Sequence, residues 1–281
     1  MVQVAADVFG APCWLSLATR DRQAAERFYA AVLGWSFRQG RFGRAFSVAE
    51  VDGVPVAGIG AVAAEFAVPV AWTPYFAVYD ADEVVARVRE RGGTLAVGPV
   101  SYPPGGRAAL AADPHGAVFG IWDGDVLAEW SISLRHSPAW LELRTVNAFD
   151  AAIFYGEVMA WGKDDEDGCC DISYEDDQVV LRQRGEPVAR LNSGPVEEGA
   201  PKPQLRPRWL VHFKVPDLDT AVALALDNGG STVTDAEWAG GHQATLRDPD
   251  GGLFTLNQTP DVPETVERQD RTIRSAADNT A

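Results

Sequence analysis

An α+β fold of four βαβββ units, set as two tandem halves, follows from three observations. A strand–helix stretch occurs twice at an offset of 126 residues, and a second such pattern occurs twice at an offset of 137. Each half also closes on an Asp-Pro-x-Gly turn ahead of an apolar strand. At 281 residues the chain exceeds what one hydrophobic core usually supports, in keeping with duplication.

The first copy, Cys13–Trp35, reads CWLSLATRDRQAAERFYAAVLGW, and the second, Ala139–Trp161, reads AWLELRTVNAFDAAIFYGEVMAW. Trp14 aligns with Trp140, Phe28-Tyr29 with Phe154-Tyr155, and Trp35 with Trp161. Alternating apolar residues predict a strand, a Thr-x-Asp or Thr-x-Asn turn predicts a helix cap, and Ala25, Phe28, Val32 and Leu33 fall on one helical face. Two β-prone runs, Arg44–Val51 and Val54–Val62, flank Asp52-Gly53, a hairpin turn. The next unit begins at Trp72 with a strand, continues in a helix over Asp82–Arg91 that stops at Gly92-Gly93, and ends in ADPHGAVFGIWD. The second half repeats this scheme, with Asp217 matching Asp80 and Gly229-Gly230 matching Gly92-Gly93. The growth of the offset places an insertion in the acidic run Lys163–Asp177, which lacks EF-hand spacing and reads as a solvated loop. The expected organisation is a first paired-βαβββ domain over 8–124, a polar linker over 125–138, a second domain over 139–260 and a polar tail over 261–281.

With 24 basic and 40 acidic residues the net charge is −16, which repels phosphate backbones and anionic lipid and argues against nucleic-acid or membrane partners. No apolar run approaches the roughly 20 residues that span a bilayer, and the start of the chain lacks the regions of a signal peptide, so a cytoplasmic protein is expected. Cys13 and the adjacent Cys169-Cys170 make a poor disulfide or zinc framework and read as reduced thiols. Because each half contains paired units, a monomer is expected.

Four βαβββ units in two pairs, opening with the strand, TxD and "A…FY…LGW" and closing with DPxG, resemble the vicinal-oxygen-chelate superfamily of glyoxalase I, bleomycin-resistance proteins and extradiol dioxygenases. The resemblance covers roughly residues 10–260 and implies two tandem cup-shaped domains. Enzymes of that family hold a divalent metal on the first and last strands of a unit. The matching positions here are Trp14, Thr73, Trp140 and Leu210, with Gly120 and Thr255, and none is a metal ligand. No metal and no cofactor is therefore expected.

Strand parity puts Leu15, Leu17, Phe76, Val78, Leu141, Leu143, Val211, Phe213 and Val215 under the helices. The opposite faces carry Trp14, Ser16, Thr73, Tyr75, Val118 and Trp122 in one half, and Trp140, Glu142, Leu210, His212, Thr255 and Asn257 in the other. A cup lined by Trp and Tyr with a few hydrogen-bonding groups suits a flat, largely apolar guest. Two glycine-rich loops, Ser101–Arg107 with Tyr102 and Asp235–His242 with Trp238, read as lids or as ordinary turns. His115 and His136 read as exposed. The expected function is metal-free binding of a planar aromatic or polycyclic metabolite, for sequestration, self-resistance or assistance to a biosynthetic oxidation step, with a pathway enzyme as a partner. The alternative is an enzyme of the same fold: a cofactor-free isomerase, cyclase or hydroxylase component in which Glu142 and His212 approach each other as base and acid, or, behind it, a metal-dependent lyase or dioxygenase; a structural hydrogen bond between the two residues is the competing reading.

Overall fold

The computed structural model describes residues 8–40, 43–103, 105–127, 130, 132, 140–162, 169–175, 177–194, 206–238 and 241–258, with backbone alone for 234–238 and 241–242. His136, the tail over 261–281, most of the expected linker and the side chain of Trp238 lie outside these residues.

Four βαβββ units follow one another as the repeats predict. The first comprises β1 (Pro12–Ala18), α1 (Arg22–Leu33), β2 (Ser36–Gln39), β3 (Phe46–Val51) and β4 (Val54–Gly60). The second comprises β5 (Ala71–Ala77), α2 (Ala81–Glu90), β6 (Thr94–Tyr102), β7 (Gly106–Ala112) and β8 (Val118–Gly124). The third has β9 (Trp140–Thr145), α3 (Ala148–Met159), β10 (Cys170–Glu175), β11 (Gln178–Gln183) and β12 (Glu186–Ser193). The fourth has β13 (Arg208–Val215), α4 (Leu218–Asp227), β14 (Ser231–Trp238), β15 (Gly241–Arg247) and β16 (Leu253–Gln258). Each half makes one eight-stranded sheet, ordered β2-β3-β4-β1-β5-β8-β7-β6 and β10-β11-β12-β9-β13-β16-β15-β14. The first strands of its two units pair antiparallel at the centre. Among the described residues no helix is long and apolar enough to cross a membrane.

Local chemistry explains the boundaries. Asp21, Asp80, Asn147 and Asp217 each cap a helix, their side-chain oxygens accepting from amides of the first turn that have no intrahelical partner. Asp52 and Gly53 both take positive φ, 51° and 79°, which turns β3 back onto β4. The residues expected under the helices are buried, Leu15, Leu17, Phe76, Leu141, Leu143 and Val211 completely so.

The repeated motifs meet across the two halves rather than within them. Helix α1 packs on α4, and α2 on α3. The Tyr29 hydroxyl donates to Asp248 Oδ2 at 2.9 Å and accepts from Trp72 Nε1 at 2.8 Å. In the mirror arrangement Tyr155 donates to Asp113 Oδ2 at 3.4 Å and accepts from Trp209 Nε1 at 3.0 Å. Both aspartates open the DPxG turns, where the other carboxylate oxygen accepts two backbone amides of the turn. Phe28 meets Phe254 edge-on, and Phe154 meets Phe119. The second glycine of each helix stop makes room for this: a Cβ on Gly93 would lie 3.1 Å from the Phe154 ring, and one on Gly230 3.1 Å from the Phe28 ring.

Three expectations change. The segment after β8 is not simply polar, because Trp130 and Ile132 are buried and Trp130 Nε1 donates to Val56 O at 2.9 Å. Cys169 and Cys170 are joined in a disulfide across one peptide bond instead of standing as thiols, while Cys13 is free and buried. The end of the acidic run is strand β10 rather than loop, its first residue buried.

Burial, aided by the facing aspartate, pushes the phenols of Tyr29 and Tyr155 well above their ordinary value of about 10. The unfolded chain releases these protons first, so stability should decline as pH rises past about 10. Tyr29→Phe leaves the Trp72 indole and the Asp248 carboxylate short of a partner in a buried site, and urea denaturation at neutral pH should show a loss of about 1–3 kcal/mol; an unchanged midpoint would contradict the role given to this contact.

Candidate functional site

The faces of the two sheets turned away from the helices have different fates. In the first half, alternation along β1, β5 and β8 presents Ser16, Thr73, Tyr75 and Val118 to a cavity of about 710 Å³. Phe46, Phe66, Val97, Val100, Tyr102 and Leu110 complete its apolar wall, and Trp72, Trp209 and Leu253 reach it from the junction of the halves. Among the described residues no hydrogen bond engages the hydroxyls of Ser16, Thr73 or Tyr75. Burial pushes the Tyr75 phenol up, so it stands as a neutral donor and acceptor.

Trp14 and Trp122, expected on this face, do not line the cavity. Trp14 leans on Trp130 with ring centroids 5.9 Å apart, and Trp122 Nε1 donates to Asp125 O at 2.9 Å. Both are held by residues of the connecting segment. The two expected lid loops are hairpins, β6–β7 and β14–β15, so Tyr102 enters the cavity wall from a strand end. His115, read from sequence as exposed, also lines the cavity because the DPHG turn folds back on β8.

In the second half the corresponding face is polar and its side chains bond mainly to one another, although Asn192 Oδ1 and Asn257 Oδ1 are buried without a hydrogen bond among the described residues. Glu142 lies opposite Leu210 and diagonal to His212 in the β9–β13 ladder, and Arg190–Asn192 of β12 flank it on the other side. His212 Nε2 is 3.0 Å from Glu142 Oε2, and Asn257 Nδ2 is 3.1 Å from His212 Nδ1. The imidazole thus bridges the Glu142 carboxylate and the Asn257 amide through its two ring nitrogens, the donor in each contact depending on its tautomer. Asn192 Nδ2 donates to Glu142 Oε1, and Arg144 Nε lies 2.8 Å from the same oxygen. Trp140 stacks on the His212 ring at 4.7 Å and 22°. Arg144 and Asn192 are members of this cluster that strand parity could have revealed and pairing alone established. Burial opposes charge on Glu142, but the His212 hydrogen bond and charge, followed by Arg144 and Asn192, outweigh it and lower its pKa to about 2.

The metal positions of the family can be tested against these contacts. A side chain at 120 would collide with Tyr75, whose ring carbons lie within 2.5 Å of the place a Cβ would take. At the equivalent place in the second half, Thr255 Oγ1 shares a hydrogen bond with Thr245 Oγ1. Both nitrogens of His212 and both oxygens of Glu142 are engaged, and Arg144 already supplies the positive charge a cation would bring. Among the described residues no group of three or more His, Cys, Asp and Glu stands together. The residues present do not suit a divalent metal.

Paired βαβββ units closing an eight-stranded sheet, twice in one chain, define a tandem protein of the vicinal-oxygen-chelate fold. Comparison with known proteins agrees: residues 140–257, in the second half, match the glyoxalase-like domain. It is 29% identical over 269 residues to the anthracycline biosynthesis protein DnrV of Streptomyces peucetius, covering 88% of this chain and 92% of that one. It is likewise 29% identical over 261 residues to CFP32 of Mycobacterium bovis, covering 88% and 94%. Among solved structures it resembles catechol 2,3-dioxygenase with a TM-score of 0.53 at 12% identity, covering 90% of each chain. The Mn(II)-bound glyoxalase of Novosphingobium aromaticivorans aligns with a TM-score of 0.52 at 16% identity, covering 89% of this chain and 82% of that one. At such identities these last two speak for the fold alone.

A depressed carboxylate pKa means that the unfolded chain takes up the Glu142 proton near pH 4.5 while the folded chain resists to about 2. Stability from this cluster is present above pH 4.5 and is lost as pH falls through that window. Glu142→Gln should cost about 3 kcal/mol at neutral pH and flatten the acid limb of a stability–pH profile measured by urea denaturation. A variant with the wild-type acid limb would contradict the assignment.

Proposed function

We propose that this protein binds a planar aromatic or polycyclic small molecule in the first-half cavity, without a metal ion, as an accessory to secondary-metabolite biosynthesis. The observation that carries the reading is the cavity itself: walls of aromatic and aliphatic side chains around three hydroxyls that no described residue engages. These hydroxyls are open to the cavity, so a flat guest with ring oxygens can accept from them in place of water while stacking on Tyr and Trp faces. DnrV and DauV, whose names assign them to anthracycline biosynthesis, support an aromatic polyketide as the guest. Sequestration, self-resistance and presentation to an oxidising pathway enzyme are all consistent with such a site.

The enzymatic alternative draws on the contact between Glu142 and His212. A carboxylate with a pKa of about 2, held by three neighbours, is a weak proton acceptor near neutrality, so in this reading the pair organises the second sheet.

Trp72 and Trp209 line the cavity, so tryptophan emission should report occupancy. Titration of the full chain with hydroxyanthraquinones should give saturable quenching, unchanged after dialysis against a chelator. Ser16→Phe should narrow the cavity, remove one of its hydroxyls and lower affinity at least about tenfold. Flat traces across an aromatic panel, or binding indifferent to Ser16→Phe, would count against the proposal.

A further inference from the structure

One wall of the first-half cavity is a loop. Residues 61–70 join β4 to β5, and Val62, Phe66, Ala67, Val68, Pro69 and Val70 line the cavity. Ala18, at the end of β1, pairs with Gly60 on one side and Ala71 on the other, so the segment leaves and re-enters the sheet across the end of a single strand. That gap is two strand spacings, about 10 Å. A fully extended segment of this length would reach roughly 33 Å. The surplus chain is taken up in a compact loop whose ends are close together, the pattern of an Ω-loop.

The hydrogen bonds show how this loop is hung. Ala61 N donates to Ala45 O at 2.9 Å and Ala63 N to Thr19 O at 3.3 Å, which ties its first residues to the sheet and to the end of β1. Further along, Phe66 N donates to Val62 O and Val68 N to Ala63 O, both at 3.0 Å, so the remainder is folded on itself. Within residues 61–70 only Ala63 is buried. Phe66, Val68 and Val70 are half-buried on the cavity side, while Ala64 and Glu65 are exposed and outside the wall. A segment with little burial and internally bonded amides lies at the low end of local stability, where binding loops and lids are drawn from.

We infer that residues 61–70 are the flap of this cavity: anchored at Ala61 and Ala63, the loop swings out to admit the guest and on return lays Phe66 and Val68 against it. The inference rests on the binding reading above and adds the moving part of the site. Phe66 brings a ring that meets a flat guest face or edge, and closure takes the guest out of water.

Hydrogen exchange on the full chain, followed by mass spectrometry with and without saturating 1,4-dihydroxyanthraquinone, tests this on the wild type. Peptides covering 61–70 should exchange at least about fivefold more slowly with the guest bound, a larger change than in peptides of β10 and β11. In stopped-flow tryptophan quenching, Phe66→Ala should raise the dissociation rate about tenfold and leave association no slower than in the wild type. Ala64→Ser, on the outer side of the loop, should leave both rates unchanged, with melting curves confirming that each variant is folded. Loop exchange indifferent to a guest whose binding is seen by quenching, or wild-type release from Phe66→Ala, would overturn the inference and leave the cavity reading standing. Absence of quenching in the wild type would overturn both.

Discussion

The structure depends on a buried contact made twice in reciprocal sense: a tyrosine from one half bonded to the turn aspartate of the other. Tyr29 finds Asp248 and Tyr155 finds Asp113, and each phenol also accepts the indole N–H of a tryptophan, Trp72 or Trp209. Those two indoles are part of the cavity wall. The contact that joins the halves therefore also sets the position of the surface a guest would touch. Its parts are mutually dependent, since an aspartate taken from water needs all of its bonds and the tyrosine supplies one that no turn amide can.

Duplication produced two similar sheets that then diverged on their inner faces. In the first half Gly120 permits Tyr75 to lie across the strand, and small or hydroxylated residues leave volume. In the second half the equivalent strands carry Glu142, His212 and Asn257, closed into a network by Asn192 and Arg144. A charge buried as Glu142 is must be fully paired to be tolerated, and that requirement fills the face with its own partners. One face is arranged to receive, the other to hold itself together.

Much of this was readable beforehand because it is local. Caps at Asp21, Asp80, Asn147 and Asp217, the Asp52-Gly53 turn and the two-residue alternation of the strands each follow from a few neighbouring residues. The approach of Glu142 to His212 was also legible, since parity places both on one face. What escaped was long-range. The recurrence of Phe-Tyr and of DPxG marks both as needed twice, yet nothing in either motif says that Tyr29 meets an aspartate 219 positions away. Trp130 sits in a polar stretch and is buried because the first sheet offers it the Val56 carbonyl and the Trp14 ring. His115 was misjudged for a similar reason: its exposure depends on where the turn lies against a strand of the same sheet.

The most direct test of the account is a crystal structure of the full chain grown with a saturating hydroxyanthraquinone. Ring density is predicted between Tyr75 and the Trp72–Trp209 side of the first-half cavity, with the Glu142–His212 contact undisturbed. Ligand density on the Glu142–His212 face instead, or a cation bound there in place of that contact, would contradict it.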